Sequence, residues 1–86
     1  MRRLAIYVST GCLGCERAHA LAALVRSGHP QVDVDVIDVD EQGIDVPESV
    51  IAVPTYLLDG VVISLGNPDP DALRRRLTAR DAPHEA

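Results

Sequence analysis

The 86-residue chain carries a formal net charge of −5 at pH 7 and contains no Lys, Trp or Phe. One domain with a small aliphatic core fits this length. Because a binding protein must neutralise the phosphates of nucleic acid, an acidic chain argues against such a partner. The sequence also lacks a run of about 20 apolar residues, so we expect no membrane partner, no signal peptide and a cytoplasmic location.

A short apolar run, residues 4–8, predicts the first strand, which ends shortly before the only two cysteines, Cys12 and Cys15. The Ala- and Leu-rich stretch that follows predicts a helix over about residues 13–27. Cys12 should then lie in the first helical turn, where unpaired N–H groups and the helix dipole favour a thiolate. A Cys-x-x-Cys pair in this position predicts a redox centre.

Helical spacing places the two cysteines on different parts of the helix surface. The buried stripe is expected to contain Ala18, Leu21, Ala22 and Val25. Cys12 and His19 fall on a different face, and Cys15 lies between the two. We therefore expect the sulfur of Cys12 to face solvent and that of Cys15 to lean towards the core, as an attacking and a resolving thiol would.

The next segment, residues 32–40, begins as a strict alternation of Val and Asp and predicts a second strand. Aspartates at every second position suit the edge of a sheet. Strand, helix and strand in this order form a βαβ unit, so the two strands should be parallel. Residues 41–49 contain Gly43 and Pro47, which predict a loop with at most one helical turn.

Two apolar runs flank Asp59-Gly60, a dipeptide suited to a two-residue hairpin turn. Pro54 opens the first run, where its missing N–H is tolerated. Beyond the hairpin, Asp69 and Pro70 predict the N-cap and first residue of a final helix. This helix should bury Leu73 and Leu77 and expose the arginines at 74, 75, 76 and 80. We expect Tyr7 in the sheet core.

The order strand, Cys-x-x-Cys at a helix start, helix, strand, Val53-Pro54-Thr55, hairpin and helix resembles the thioredoxin/glutaredoxin superfamily in its minimal form. The resemblance covers residues 4–79. It implies an α/β thioredoxin-like fold, in which a βαβ unit is followed by a β-hairpin and a C-terminal helix around a four-stranded mixed sheet flanked by helices. We expect one such domain over residues 1–80, followed by a flexible tail over residues 81–86.

The resemblance also implies a site and an activity. Cys12 would be the nucleophile and Cys15 the resolving thiol of a disulfide oxidoreductase, an enzyme that needs no bound cofactor. Pro54 would follow a cis peptide bond. The residues expected to contact substrate are Thr10, Val53, Pro54, Gly66 and Asn67. The partners would be protein or small-molecule disulfides and a reductase or low-molecular-weight thiol as electron donor, acting on a monomer.

The branch of the superfamily stays open, because Ser9 stands where glutaredoxins carry Lys, and Gly11 and Gly14 stand where thioredoxins carry Trp and Pro. Two other function classes also stay open. Cys12, Cys15 and His19 could form three ligands of a metal-binding or metal-delivery module, with His29 or a second chain as a fourth. Alternatively, the groove beside Pro54 could serve a redox-silent interaction domain.

Overall fold

Four strands and two helices follow one another in the computed structural model, which describes residues 2–78. The elements are β1 (Arg2–Val8), α1 (Cys15–Gly28), β2 (Val32–Asp38), β3 (Thr55–Leu58), β4 (Val61–Leu65) and α2 (Pro70–Thr78). The protein is therefore a small α/β structure with a four-stranded mixed sheet, as predicted at that level. The tail expected at residues 81–86 and the exposed Arg80 lie outside the described residues.

The sheet has the strand order β2-β1-β3-β4. The predicted parallel pairing of β1 with β2 is confirmed, with Ile6 opposite Val36, and β1 and β4 both run antiparallel to β3. The Asp-rich strand β2 lies at an edge, as predicted. There Arg3 forms ion pairs with Asp33 and Asp35, at 3.5 and 3.3 Å, and such exposed pairs contribute little to stability.

Both helices contribute to one apolar core on one face of the sheet. Leu4 and Ile6 of β1 are 0% exposed, and they share this core with buried residues of α1 and α2. The predicted buried stripes are confirmed: they comprise Ala18, Leu21, Ala22 and Val25 of α1, and Leu73 and Leu77 of α2. Burial of these stripes packs both helices into the same core as β1, the strand that precedes the cysteine segment.

On the opposite face of the sheet, the connection between β2 and β3 contributes Pro47 to a cavity lined mainly by strand residues. Tyr7 and Leu57 are buried on this face, which confirms Tyr7 as a residue of the sheet interior. They line this cavity of about 240 Å³ together with Ile37 and Pro47. Residues 41–43 and 48–49 form turns and a bend, and residues 41–50 contain no helical turn.

The start of α1 differs from the prediction, because the helix begins at Cys15 and not near Leu13. The chain first makes a turn in which the N–H of Cys12 donates to the carbonyl of Ser9 at 3.4 Å, with Gly11 at φ +79°. That φ is not helical and is rarely adopted by residues other than glycine. Because the turn needs it, the helix can begin only after the turn. Cys12 therefore lies just before the first helical turn and not within it.

The ends of the other elements follow local side-chain chemistry. Asp38 accepts a hydrogen bond from the N–H of Asp40 at 2.9 Å, and the resulting turn ends β2 at Asp38, two residues earlier than predicted. The hairpin turn at Asp59-Gly60 is confirmed, with φ of 52° and 86°. The N-cap role of Asp69 is also confirmed, since its Oδ2 accepts from the N–H groups of residues 71 and 72, both at 3.1 Å.

Neither described helix combines the length and apolar character that crossing a bilayer requires.

Candidate active site

The two cysteines form a disulfide in this structure, with their Cα atoms 5.3 Å apart. Cys15, the first residue of α1, is only 4% exposed and belongs to the core, as the helical spacing predicted. Cys12 is half-buried, and Leu13 between them is fully exposed at 102%. Cys12 is therefore the cysteine that solvent reaches more readily.

The disulfide lies at the N-terminal end of α1. The sulfur of Cys12 is bonded to that of the first helical residue, so it lies at this end although Cys12 itself precedes the helix. The N–H groups of a first helical turn have no partner inside the helix, and the dipole makes this end positive. A thiolate on Cys12 would be stabilised there, and the proximity expected from the sequence is retained despite the later helix start.

Pro54 packs directly against the segment between the cysteines. A Cβ placed on Gly14 would lie 3.4 Å from Cδ of the proline ring. The Val53–Pro54 peptide bond is cis, as the resemblance implied. Two hydrogen bonds hold this segment: the Thr55 hydroxyl donates to the carbonyl of Ala52, and the N–H of Gly66 donates to the carbonyl of Pro54 at 2.7 Å.

A chain of two side-chain hydrogen bonds joins the final connection to the cysteine segment. The Tyr56 hydroxyl donates to Oδ1 of Asn67 at 2.7 Å, and Nδ2 of Asn67 donates to the carbonyl of Gly14 at 2.8 Å. Pro54 and Asn67 thus approach Gly14, the residue before Cys15. Val53 and Gly66 are joined to Pro54, by the cis peptide bond and by the hydrogen bond from the Gly66 N–H. Tyr56 was not singled out by sequence reasoning, although a tyrosine at a buried strand position needs a partner for its hydroxyl.

The space around residue 14, and not its backbone conformation, explains why this residue is glycine. Its φ of −92° is accessible to any residue. A Cβ there would approach Nδ2 of Asn67 to 3.1 Å as well as the ring of Pro54. The absence of a side chain therefore lets two other segments approach the cysteine loop closely, a signal that the Cys-x-x-Cys spacing alone does not contain.

Burial of Tyr56 sets its protonation state. The side chain is 0% exposed, and desolvation raises the pKa of Tyr56 to about 12, partly opposed by the positive charge of Arg17. The phenol therefore keeps its proton, and its ability to donate to Asn67, over the physiological range. Arg17 is two residues beyond Cys15, so its charge also lies in the first turn of α1.

The remaining candidates are less closely joined to this arrangement. Thr10 is exposed in the turn before Cys12, and His19 is exposed on α1 whereas Cys15 is buried. Within residues 2–78, no three His, Cys, Asp or Glu side chains come together in a way that could hold a metal ion. The three-ligand set of Cys12, Cys15 and His19 is therefore not assembled in this structure.

No known protein family has a sequence model that matches the chain, and no curated protein matches it at a significant level.

Proposed function

We propose that the protein is a small thiol–disulfide oxidoreductase with a thioredoxin-like fold, and that Cys12 and Cys15 form its dithiol–disulfide couple. The observation that carries this proposal is the position of the pair. The two cysteines lie at the N-terminal end of α1, one half-buried and one buried, with Pro54 packed against the residue between them.

The fold supports the proposal through the order of its elements. A βαβ unit, an antiparallel hairpin and a final helix surround one core, and the thioredoxin-like fold has the same arrangement in its minimal form. Three separate connections meet at the cysteines, as they do at the active site of that superfamily. We assign substrate contact to the edge formed by Thr10, Val53, Pro54, Gly66 and Asn67.

In the proposed reaction the Cys12 thiolate attacks one sulfur of a substrate disulfide. A mixed disulfide with Cys12 forms, and the other substrate sulfur leaves as a thiolate. Cys15, after losing its proton, then attacks the sulfur of Cys12 and releases the second substrate thiolate. The substrate has gained two electrons and, with two protons, becomes two thiols, while the protein now holds the Cys12–Cys15 disulfide. A low-molecular-weight thiol or a reductase returns it to the dithiol.

The chain's own residues divide this work. The helix terminus stabilises the attacking thiolate, because its unpaired N–H groups and dipole favour negative charge. Leu13, fully exposed between the cysteines, gives an incoming disulfide an apolar surface beside the reactive sulfur. Cys15 is shielded by the core, so the substrate meets Cys12 first.

The reduction potential of the couple tests the proposal. The protein would be equilibrated in thiol/disulfide buffers, alkylated and weighed intact, and its metal content would be measured on the same sample purified without chelators. A midpoint between about −270 and −120 mV, the range of exchange catalysts, together with turnover of a small disulfide, is the expected result. A midpoint below about −300 mV would indicate a structural staple. Stoichiometric metal without disulfide formation would favour the metal module.

A further inference from the structure

The peptide group between Gly14 and Cys15 is bonded on both sides. Its carbonyl accepts from Nδ2 of Asn67 at 2.8 Å and from the N–H of Ala18 at 3.2 Å, which occupies both lone pairs. Its N–H donates to the carbonyl of Cys12 at 3.3 Å. This peptide group thus connects the two cysteine residues. Among residues 2–78, Asn67 is its one hydrogen-bond partner from outside the cysteine turn and α1.

Asn67 is itself held on two sides. Its Oδ1 accepts from the buried Tyr56 hydroxyl, so the amide is oriented with Nδ2 towards Gly14. The preceding residue, Gly66, is tied to Pro54 through its N–H at 2.7 Å. The donor that reaches Gly14 therefore comes from a connection fixed to the sheet, and the absence of a Cβ on Gly14 leaves space for it.

We propose that Asn67, oriented by Tyr56, is a positioning residue that holds the Gly14–Cys15 peptide group so that the Cys15 sulfur stays within reach of Cys12 when the disulfide is reduced. This inference rests on the proposed function. It adds a role for Tyr56 and Asn67, which form no hydrogen bond to either sulfur.

The consequence concerns closure of the disulfide. When Cys15 attacks the sulfur of Cys12 in a mixed disulfide, the rate and equilibrium depend on how often the two sulfurs meet, which is an effective concentration. Without the Asn67 bond, the reduced segment samples more conformations and the sulfurs meet less often. A typical hydrogen bond has a net value that corresponds to a change of about threefold to tenfold in an equilibrium constant.

The test compares three variants with the wild-type chain. Asn67→Ala removes both bonds, and Asn67→Asp keeps an oxygen for Tyr56 but cannot donate to Gly14. Ser64→Ala is the matched control, because the Ser64 hydroxyl donates to the carbonyl of Gly66 at 2.7 Å in the same connection but does not contact Gly14. Each protein is equilibrated with dithiothreitol to obtain the equilibrium constant for disulfide formation, and urea unfolding is measured on its oxidised and reduced forms.

Both Asn67 variants are expected to lower the equilibrium constant about threefold to tenfold, whereas Ser64→Ala leaves it unchanged. When the reduced Asn67 variants react with a small aromatic disulfide, attack of Cys15 on the resulting mixed disulfide at Cys12 should also be slower than in the wild-type protein. A purely structural role would lower the stability of oxidised and reduced protein equally and leave the equilibrium constant at the wild-type value. That result, or an equal change in Ser64→Ala, would overturn the inference.

Failure of the proposed function gives a different pattern. If the wild-type disulfide forms in the buffer but the protein does not catalyse exchange, the oxidoreductase proposal fails. The positioning role is then still decided by comparing the equilibrium constants for disulfide formation of the Asn67 and Ser64 variants. If the protein catalyses exchange but the Asn67 and Ser64 variants have the same equilibrium constant for disulfide formation, only the positioning role fails. If wild-type protein never forms the Cys12–Cys15 disulfide, both are overturned.

Discussion

Asn67 and Gly14 are 53 residues apart in the sequence, yet Nδ2 of Asn67 lies 2.8 Å from the carbonyl oxygen of Gly14. This bond joins the connection before α2 to the segment between the cysteines. It also places the amide nitrogen 3.1 Å from the position of a Cβ on residue 14, so a side chain there would crowd the hydrogen bond.

Substitution of Gly14 tests this dependence. Gly14→Ala places a Cβ 3.1 Å from Nδ2 of Asn67 and 3.4 Å from the Pro54 ring, so either the amide or the loop must shift. We expect the free energy of unfolding to fall by about 1 kcal/mol, the lower end of the range for overpacking. Gly28→Ala is the matched control, because a Cβ there meets nothing within 4 Å, and it should leave stability unchanged or raise it by about 0.5–1 kcal/mol.

Urea denaturation of the oxidised proteins measures both values. Equal stability of Gly14→Ala and Gly28→Ala would show that Asn67 and Pro54 do not constrain the space at residue 14. In Gly14→Ala the equilibrium constant for disulfide formation should fall together with the stability, because the methyl group crowds the amide that holds the Gly14 carbonyl.

Much of the architecture could be predicted from local patterns. The alternation of Val and Asp in β2, the Asp59-Gly60 turn and the Asp69-Pro70 helix start each have a local physical cause, and all three are confirmed. The start of α1 was placed too early, because the Gly11 turn and the hydrogen bond from Cys12 to Ser9 compete with helix formation. Composition predicted a helix there, but turn geometry delayed it.

From the residues alone, only the cysteine pair of the site could be predicted; the resemblance added Thr10, Val53, Pro54, Gly66 and Asn67 as substrate contacts but no bond between them. Two cysteines at a helix start are visible in the sequence, and Pro54 was expected beside them from a resemblance. The Tyr56–Asn67–Gly14 chain links residues up to 53 positions apart. No periodicity records such a contact, because it depends on the pairing of β3 with β4 and on the path of the chain after β4. Nor does the sequence show the packing role of Gly14, which depends on the approach of Pro54 and Asn67.

Separate substitution of the two cysteines tests their different exposures. Cys12→Ser should abolish disulfide exchange, because the sulfur that substrate reaches first is lost. Cys15→Ser should trap mixed disulfides on Cys12, since no second sulfur remains to release them. Intact mass after incubation with a disulfide peptide detects the trapped species. In the reduced wild-type protein, Cys12 should be alkylated faster than Cys15, which is buried; the opposite order would reverse the two roles.

Asp59 is expected to make a contribution to stability that depends on pH. Its carboxylate accepts from the N–H of Arg3 at 2.9 Å and pairs with Nε of Arg2 at 3.0 Å. The hydrogen bond from Arg3 and then that from Arg2 lower the pKa of Asp59. A carboxyl whose pKa is lower in the folded state stabilises the protein above its unfolded pKa of about 3.9, and this stabilisation is lost as pH falls through the folded pKa.

Asp59→Asn is the variant of choice, because Asn keeps an oxygen acceptor and tolerates the positive φ of this position. It should be less stable than the wild-type protein in urea at pH 7, and the difference should shrink as the pH falls below about 3.9. Asp33→Asn, which removes only an exposed ion pair at 3.5 Å, should change stability little at neutral pH. A difference for Asp59→Asn that is constant with pH would contradict the electrostatic explanation.

Tyr56 is expected to ionise far above the normal range for tyrosine. Burial raises its pKa to about 12 from an ordinary value of 10.0, and the folded protein should keep the phenol protonated while it donates to Asn67. Because the pKa of this group is higher in the folded than in the unfolded state, the protonated phenol contributes to the free energy of unfolding. This contribution is complete below the unfolded pKa of about 10 and is lost as pH rises through about 12. Alkaline conditions should therefore destabilise the wild-type protein more than Tyr56→Phe, which has no phenol to ionise.

The difference in near-ultraviolet tyrosinate absorbance between the wild-type protein and Tyr56→Phe isolates this group from Tyr7. Rapid pH jumps on the oxidised protein, with circular dichroism recorded in parallel, restrict the titration to the folded state. The difference should appear with a midpoint of about 12. A midpoint near 10 while the fold is intact would mean that water reaches the phenol, and the buried hydrogen bond from Tyr56 to Asn67 would then lose its support. At neutral pH, Tyr56→Phe should cost about 1 kcal/mol of stability, because Oδ1 of Asn67 loses its donor.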